Sequence, residues 1–284
     1  MGQIIDGKDL SKLIRLDVKK RVQELIDKYG KSPHLVVLLV GEDPASQTYV
    51  RSKKRACERA GMRSTTIIKS SDISQSELLG VVDALNNDVD VHGVLVQLPL
   101  PNHIDENIII DAIAIEKDVD GFHPLNIAYL QLNRPSIIPA TPKGIMTMLH
   151  HYDVALEGKD ALVIGRSNIV GKPIASLLMR ENATVTIAHS RTKDLKEKAL
   201  NADIIVAAVG KPNMVTADMV KENAVIIDVG INRIDGKLVG DVAFDEVYDK
   251  VGLITPVPKG VGPMTITSLL ENTLICFERI MNND

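Results

Sequence analysis

Tyr49 and Lys53 lie four residues apart in GEDPASQTYVRSKKRACERAG (41–61). On a helix that spacing puts a phenol and an ammonium on one face, while Lys54 points roughly 100° away. A phenol beside an amine suits a site that stacks a flat ring and moves a proton. A snorkelling surface lysine next to a half-buried tyrosine gives the same pattern. Gln97 is a second polar residue out of place, inside the apolar run VLVQLPLP (94–101). A buried amide needs partners, so Gln97 either caps a sheet or aims into a pocket. In KDVDGF (117–122), Asp118 and Asp120 resemble the start of a calcium loop. Gly121 comes too early for one and no Glu closes it, so calcium is rejected. Asp before Gly is an ordinary turn former; its two oxygens can also hold a ring with adjacent N–H donors.

A different chemistry is written in ALVIGRSNIVGKP (161–173), which reads as a strand, a glycine turn and a helix opening after Gly171. Such a turn offers backbone N–H groups to a pyrophosphate. The spacing is G-x-S-x-x-x-G from Gly165: Ser167 takes the second glycine position and the last glycine is one residue late. On pattern alone, an ordinary strand-to-helix turn stays open. The next strand ends in AHSRT (188–192), where an NAD site usually carries an acidic residue for the ribose. Ser190 can donate to a 2′-phosphate, and Arg191 and Arg166 can bring positive charge to it. This substitution predicts NADP rather than NAD; the alternative is a pair of solvated arginines.

Elements that can carry these residues follow from periodicity. Short apolar runs alternate with longer helical patterns, the mark of βαβ units and a mostly parallel sheet. Strands are expected at 34–40, 64–68 and 91–98, with helices at 9–28, 47–60 (Ser46 as N-cap) and 75–87. A second series has strands at 161–165, 183–188, 203–209, 224–230 and 253–257, and helices at 172–181, 195–200 and 217–221. A last helix covers 265–281. The expected domains are 1–140 and 141–263, with the helix at 264–284 packing back on the first.

Composition narrows the class. A chain of 284 residues allows about two domains at roughly 100–200 residues each. Net charge is −4 and aromatics are 3% with no Trp, so neither a basic field nor a base-stacking platform points to nucleic acid. No apolar run approaches the roughly 18 residues that span a bilayer. The opening MGQIIDGKDL has neither a basic nor an apolar targeting region, and a cytoplasmic location is expected. Cys57 and Cys276 make no disulfide framework or zinc cluster, and the seven histidines show no ligand spacing. Cys57 is read as a small buried residue, with a site-facing thiol as the alternative.

Together YVRSKKRACERAG (49–61), VQLPLP (96–101), KDVDGF (117–122), PATPKG (139–144), GRSNIVGKP (165–173) and TPVPKGVGPMT (255–265) resemble the bifunctional methylenetetrahydrofolate dehydrogenase/methenyltetrahydrofolate cyclohydrolase family. The resemblance implies two α/β domains flanking a cleft, the second Rossmann-like with a mostly parallel, doubly wound sheet, in a homodimer. It implies oxidation of 5,10-methylenetetrahydrofolate with NADP+, then hydrolysis of the methenyl product to 10-formyltetrahydrofolate, with no metal, nucleic acid or membrane partner. Carried over by motif, Lys53 is the central catalytic residue and Gln97 its partner. Tyr49 packs on the folate and Asp120 holds the pterin. Gly165, Arg166, Ser167, Ser190 and Ile231 line the NADP site, joined by Arg191 from the charge argument. Pro258, Gly262 and Pro263 shape the place where folate and nicotinamide meet. One position departs: Lys259 stands where members often have the first Gly of V-P-G-G-V-G-P-M-T. A positive φ there would strain it; otherwise it only adds charge.

The chemistry and the residues agree. Hydrolysis needs water activated and a proton returned to a ring nitrogen. A lysine does this when burial lowers its pKa from about 10.4 towards 7–8. Gln97 can orient the amine without a charge that would pull the pKa back up. A shikimate-type dehydrogenase shares the architecture but wants a Lys–Asp pair and leaves VQLPLP and TPVPKGVGPMT unexplained. A non-catalytic folate- or NADP-binding module has no need of Lys53 with Gln97.

Overall fold

The computed structural model describes residues 2–283; Met1 and Asp284, the outermost residues of the expected domains, lie outside the described residues. The chain divides into two compact units. One comprises Leu13–Ala140 and the chain from Ile266 onward; the other comprises Thr141–Thr265 and the residues up to Lys12. The expected range 1–140 is therefore corrected at its start. Strand β1 (Gln3–Ile4) hydrogen-bonds in parallel to the sheet of the 141–265 unit, and this pairing takes the first residues with it.

The 13–140 unit is built on a parallel sheet of β2 (His34–Val40), β3 (Arg63–Lys69) and β4 (Gly93–Val96), in the order β3-β2-β4. All seven residues of β2 are buried, which is why it reads as one apolar run: a central strand is covered on both faces. Leu35, Val37 and Leu39 point to one face, where they join Val50 and Cys57 of the helix Pro44–Ala60 and Leu270, Leu274 and Phe277 of the last helix. Val36, Leu38 and Val40 point to the other and join Leu78, Val82 and Leu85 of the helix Gln75–Asn87. The helix Pro44–Ala60 starts three residues before the expected start at 47, so its cap lies three residues before Ser46. Asp43 is the N-cap, accepting the Ser46 N–H at 2.7 Å, and Pro44 takes the first helical position, where no N–H is needed.

The 141–265 unit contains β5 (Asp160–Ile164), β6 (Thr184–Ala188), β7 (Ile204–Ala207), β8 (Val225–Asp228), β9 (Asn232–Ile234), β10 (Lys237–Val239) and β11 (Leu253–Ile254). Six strands form one all-parallel sheet in the order β1-β11-β8-β7-β5-β6. Strands β9 and β10 form a separate antiparallel hairpin around Asp235–Gly236, both at positive φ. The expected helix 217–221 is a single 3-10 turn, Ala217–Met219. Because the strands run parallel, the loops after β5, β6, β7 and β8 emerge along one edge, where ligands of such sheets bind.

Candidate active site

In the 13–140 unit, Lys53 lies on the buried face of the helix Pro44–Ala60 and is 5% exposed. Its Nζ donates to Gln97 Oε1 at 3.1 Å. Gln97 is held in turn: its Nε2 donates to the Leu98 carbonyl at 2.7 Å and its backbone N–H to the Leu38 carbonyl at 2.8 Å. That last bond continues the sheet pattern just past the end of β4, before the cis Leu98–Pro99 bond. The half-buried Tyr49, one turn before Lys53, places its ring centroid 5.1 Å from Nζ, within cation–π range.

Asp120 acts on the same amine. Burial pushes Lys53 below the ordinary ammonium range, and the Asp120 carboxylate and Cys57 thiol work against that shift. Burial pushes Asp120 up to about 6; Lys53 opposes this and Asp118 adds to it. Gln97 does keep charge away from its own position, but the amine is not free of carboxylates, since 120 supplies one. Lys53, Gln97, Tyr49 and Asp120 therefore form one cluster.

The KDVDGF segment is shaped by its two other polar residues. Buried Lys117 donates to the carbonyls of Leu85, Asn86 and Asp88 at 2.9, 2.8 and 2.7 Å, closing the C-terminal end of the helix Gln75–Asn87. Asp118, 2% exposed, accepts the N–H groups of Gly121, Phe122 and His123 and the Asn126 side-chain amide. It is a turn former, as its sequence suggests, but one that fixes the loop carrying Asp120 from inside. Cys57 is fully buried and its thiol is pushed up to about 12 by burial, which makes it inert.

In the 141–265 unit, Gly165 directly follows β5 at φ +126°, and a Cβ there would sit 2.3 Å from the Ala208 carbonyl oxygen. The serine in the second glycine position has its own use. Ser167 Oγ accepts the N–H groups of Val170 and Gly171, each at 3.2 Å, so it caps the helix Gly171–Arg180 with amides that the sequence reading offers to a pyrophosphate. Beside it, a cavity of about 260 Å³ is lined by Gly165, Arg166, His189, Ser190, Val209 and Lys211, among others. Arg191, Ser167 and Ile231 are not on its wall. Lys211 was missed by sequence reading. Its signal is the turn AVGKP (208–212) directly after β7, on the strand edge where ligands gather. No carboxylate lines the cavity. Two cations and a serine around it fit a dinucleotide carrying an extra phosphate.

Pro258 is exposed, after the cis Val257–Pro258 bond, and Gly262 and Pro263 lie in the first turn of the helix Val261–Asn283. Lys259 has φ +92°, so the strained alternative applies, at about 1–3 kcal/mol. The loop is pinned around it: the Lys8 N–H donates to the Lys259 carbonyl and the Gly260 N–H to the Pro256 carbonyl, both at 2.8 Å. Among the described residues, no three His, Cys, Asp or Glu side chains gather to hold a metal ion. No helix among them is long and apolar enough to cross a membrane.

Residues 5–120 match the tetrahydrofolate dehydrogenase/cyclohydrolase catalytic domain and residues 139–281 the NAD(P)-binding domain of the same enzymes. The bifunctional protein FolD of Streptococcus mutans is 55% identical over 274 residues, covering 96% of each chain. The crystal structure of the bifunctional FolD methylenetetrahydrofolate dehydrogenase/cyclohydrolase of Campylobacter jejuni is 50% identical. It superposes with a TM-score of 0.96 over 98% of this chain and 100% of that one. The Trypanosoma brucei FolD enzyme, solved with NADP cofactor and an inhibitor, is 38% identical with a TM-score of 0.95, covering 98% of each. With both halves matched in order and close relatives along nearly its whole length, the chain belongs to the tetrahydrofolate dehydrogenase/cyclohydrolase family.

Proposed function

We propose that Lys53, Gln97, Tyr49 and Asp120 are the folate centre of a bifunctional enzyme. The chain oxidises 5,10-methylenetetrahydrofolate to 5,10-methenyltetrahydrofolate with NADP+, then hydrolyses that product to 10-formyltetrahydrofolate. The observation that carries the assignment is a buried lysine whose Nζ is held by an uncharged amide, Gln97, beside a tyrosine ring.

In the hydrolysis, water adds to the methenyl carbon and gives a proton to neutral Lys53. The carbon–nitrogen bond to one ring nitrogen breaks, that nitrogen takes the proton back from the ammonium, and the remaining hydroxyl proton leaves to solvent as the formyl C=O forms. Burial favours the neutral form of Lys53, and a cationic methenyl substrate favours it further. Gln97 Oε1 orients the amine. Tyr49 packs its ring on the folate, and Asp120 holds the pterin through its two oxygens.

NADP+, when bound, accepts the hydride in the oxidation. The residues assigned to hold it are Gly165, Arg166, Ser167, Ser190, Arg191 and Ile231, with Lys211 added from the cavity wall. Pro258, Gly262 and Pro263 are assigned to shape the folate side. No metal has a role in either step. The enzyme works as a homodimer in the cytoplasm; the family resemblance supports the first, and two buried cysteines far apart in the sequence fit the second.

The test is an assay on purified protein with 5,10-methylenetetrahydrofolate and NADP+ or NAD+, reading reduced cofactor and methenyl product separately. NADPH with little methenyl accumulating is expected. Methenyl accumulating one for one with NADPH would remove the hydrolytic role of Lys53.

A further inference from the structure

Asp241 takes no part in the site as described, yet it is fully buried and fully bonded. Its Oδ2 accepts the N–H groups of Val209 and Gly210 at 2.7 and 3.0 Å. Its Oδ1 accepts the Lys211 N–H at 2.8 Å and the Asn232 side-chain amide at 3.0 Å. These donors come from the loop after β7 and from the first residue of β9, which follows β8, beyond the ends of neighbouring parallel strands where ligands bind. Val209 and Lys211 line the cavity, and Asn232 follows Ile231.

Asp241 is itself anchored. Its N–H and that of Gly230 donate to Asp228 Oδ1 at 2.9 and 3.0 Å, and the Val242 N–H donates to Asp228 Oδ2 at 3.0 Å. A Cβ on Gly230 would lie 2.2 Å from Asp241 Oδ1, so the carboxylate fills space that only glycine leaves. Every group around the Asp241 oxygens is a donor. A carboxylate accepts all of them, whereas an asparagine would turn an NH2 towards N–H groups and leave at least one unpaired.

We infer that Asp241 is a positioning residue for the nucleotide: it ties residues 209–211 to Asn232 and so fixes the backbone on which NADP+ docks, without touching the cofactor. This rests on the reading of the unit as an NADP site. Asp228 is the support beneath it, holding the backbone of Asp241.

The experiment titrates NADP+ against wild type and Asp241→Asn, and separately measures hydrolysis of methenyltetrahydrofolate with no nucleotide present. The expected result is a Kd and KM for NADP+ raised roughly ten-fold or more, the weight of one or two lost buried hydrogen bonds. Folate KM and nucleotide-free hydrolysis should stay at wild-type levels. Wild type that does not bind NADP+ would sink the functional reading itself. Wild type that binds, with a folded Asp241→Asn that binds as tightly, overturns the inference alone. Should Asp241→Asn not fold, Asn232→Ala removes one of the four bonds and is expected to raise the NADP+ Kd several-fold at an unchanged melting temperature. An unchanged Kd in that variant overturns the inference too.

Discussion

In the unit built on β2–β4, the charges that matter are withdrawn from solvent: burial shifts both Lys53 and the half-buried Asp120 towards their neutral forms, and each opposes the other's shift without cancelling it. In the unit built on β5–β8, the arrangement is reversed. Arg166, Arg191 and Lys211 are exposed, and the buried charges are Asp228 and Asp241, each met by backbone N–H groups. Proton transfer needs a group whose charged and neutral forms lie close in energy, which burial with incomplete pairing supplies. Holding a polyanion needs cations that never lose their charge and a backbone that does not move.

The contrast breaks most sharply at Lys53. Lys53→Gln is expected to lower hydrolysis of the methenyl substrate by roughly 10²–10⁴-fold while measurable dehydrogenase turnover remains. Full hydrolysis in a folded variant would show that the buried amine is only a structural element.

A second buried charge site in the same unit tests the cost of that strategy. His92 is 1% exposed, packs edge-on against Phe277 at 4.7 Å, and its Nε2 has no hydrogen-bond partner. Burial, with His34, Lys31 and Lys117 adding, lowers it to about 4, with Asp90 opposing. Between pH 6.5 and 4 the unfolded chain then binds this proton and the folded one does not, so stability falls as pH falls through that window. Wild type should lose about 3 kcal/mol more than His92→Gln across it, read as the pH dependence of unfolding. Asp120 and Asp228, both raised to about 6 chiefly by burial, act with the opposite sign: their contribution is lost as pH rises through 6. They are common to both proteins and drop out of the difference. Parallel pH curves for the two proteins would remove His92 as the acid-labile group.

On the exposed side, Ser190→Asp puts a carboxylate where the 2′-phosphate is assigned. It should weaken NADP+ by roughly ten-fold and leave NAD+ unchanged or better, in paired KM measurements. Equal losses for both cofactors would mean that the rim does not read the extra phosphate. The smallest effect is expected at Lys259, where backbone strain and not charge is at issue. Lys259→Gly should raise the unfolding free energy by about 1 kcal/mol, relief of strain outweighing the extra entropy of the unfolded glycine. A lower melting temperature would contradict the strain.

Where a segment's own pattern decides its conformation, the sequence was legible to the residue. The strand His34–Val40 is a bare apolar run, and the helix Gln75–Asn87 opens on a capping box formed by Ser74 and Glu77. Periodicity predicts neither β1, two residues long, nor the helices Glu106–Asp111, Pro124–Gln131 and Ala140–His151. A two-residue strand exists only because an edge elsewhere offers partners, and short helices with mixed faces take their stability from packing. Within the site, the Tyr49–Lys53 spacing and the interruption at Gln97 could be read directly. The approach of Asp120 to Lys53 could not, since it depends on how Asp118 folds a loop, and Asp241 reaches its partners across thirty residues of chain.

The pairing of β1 with β11 also bears on how the protein is made. Gln3 and Ile4 leave the ribosome before their partners Leu253 and Ile254, which follow about 250 residues later. At about 5–20 residues per second, the edge of that sheet waits on the order of ten to fifty seconds for completion. The other unit waits as well, because Leu270, Leu274 and Phe277 in its core are made later still, 130 residues or more after Ala140. Neither unit can close while the other is still being synthesised, so vectorial folding one domain at a time is denied to this topology. Both must mature together once residues 253–277 have been made, with their sheet edges open to other chains until then.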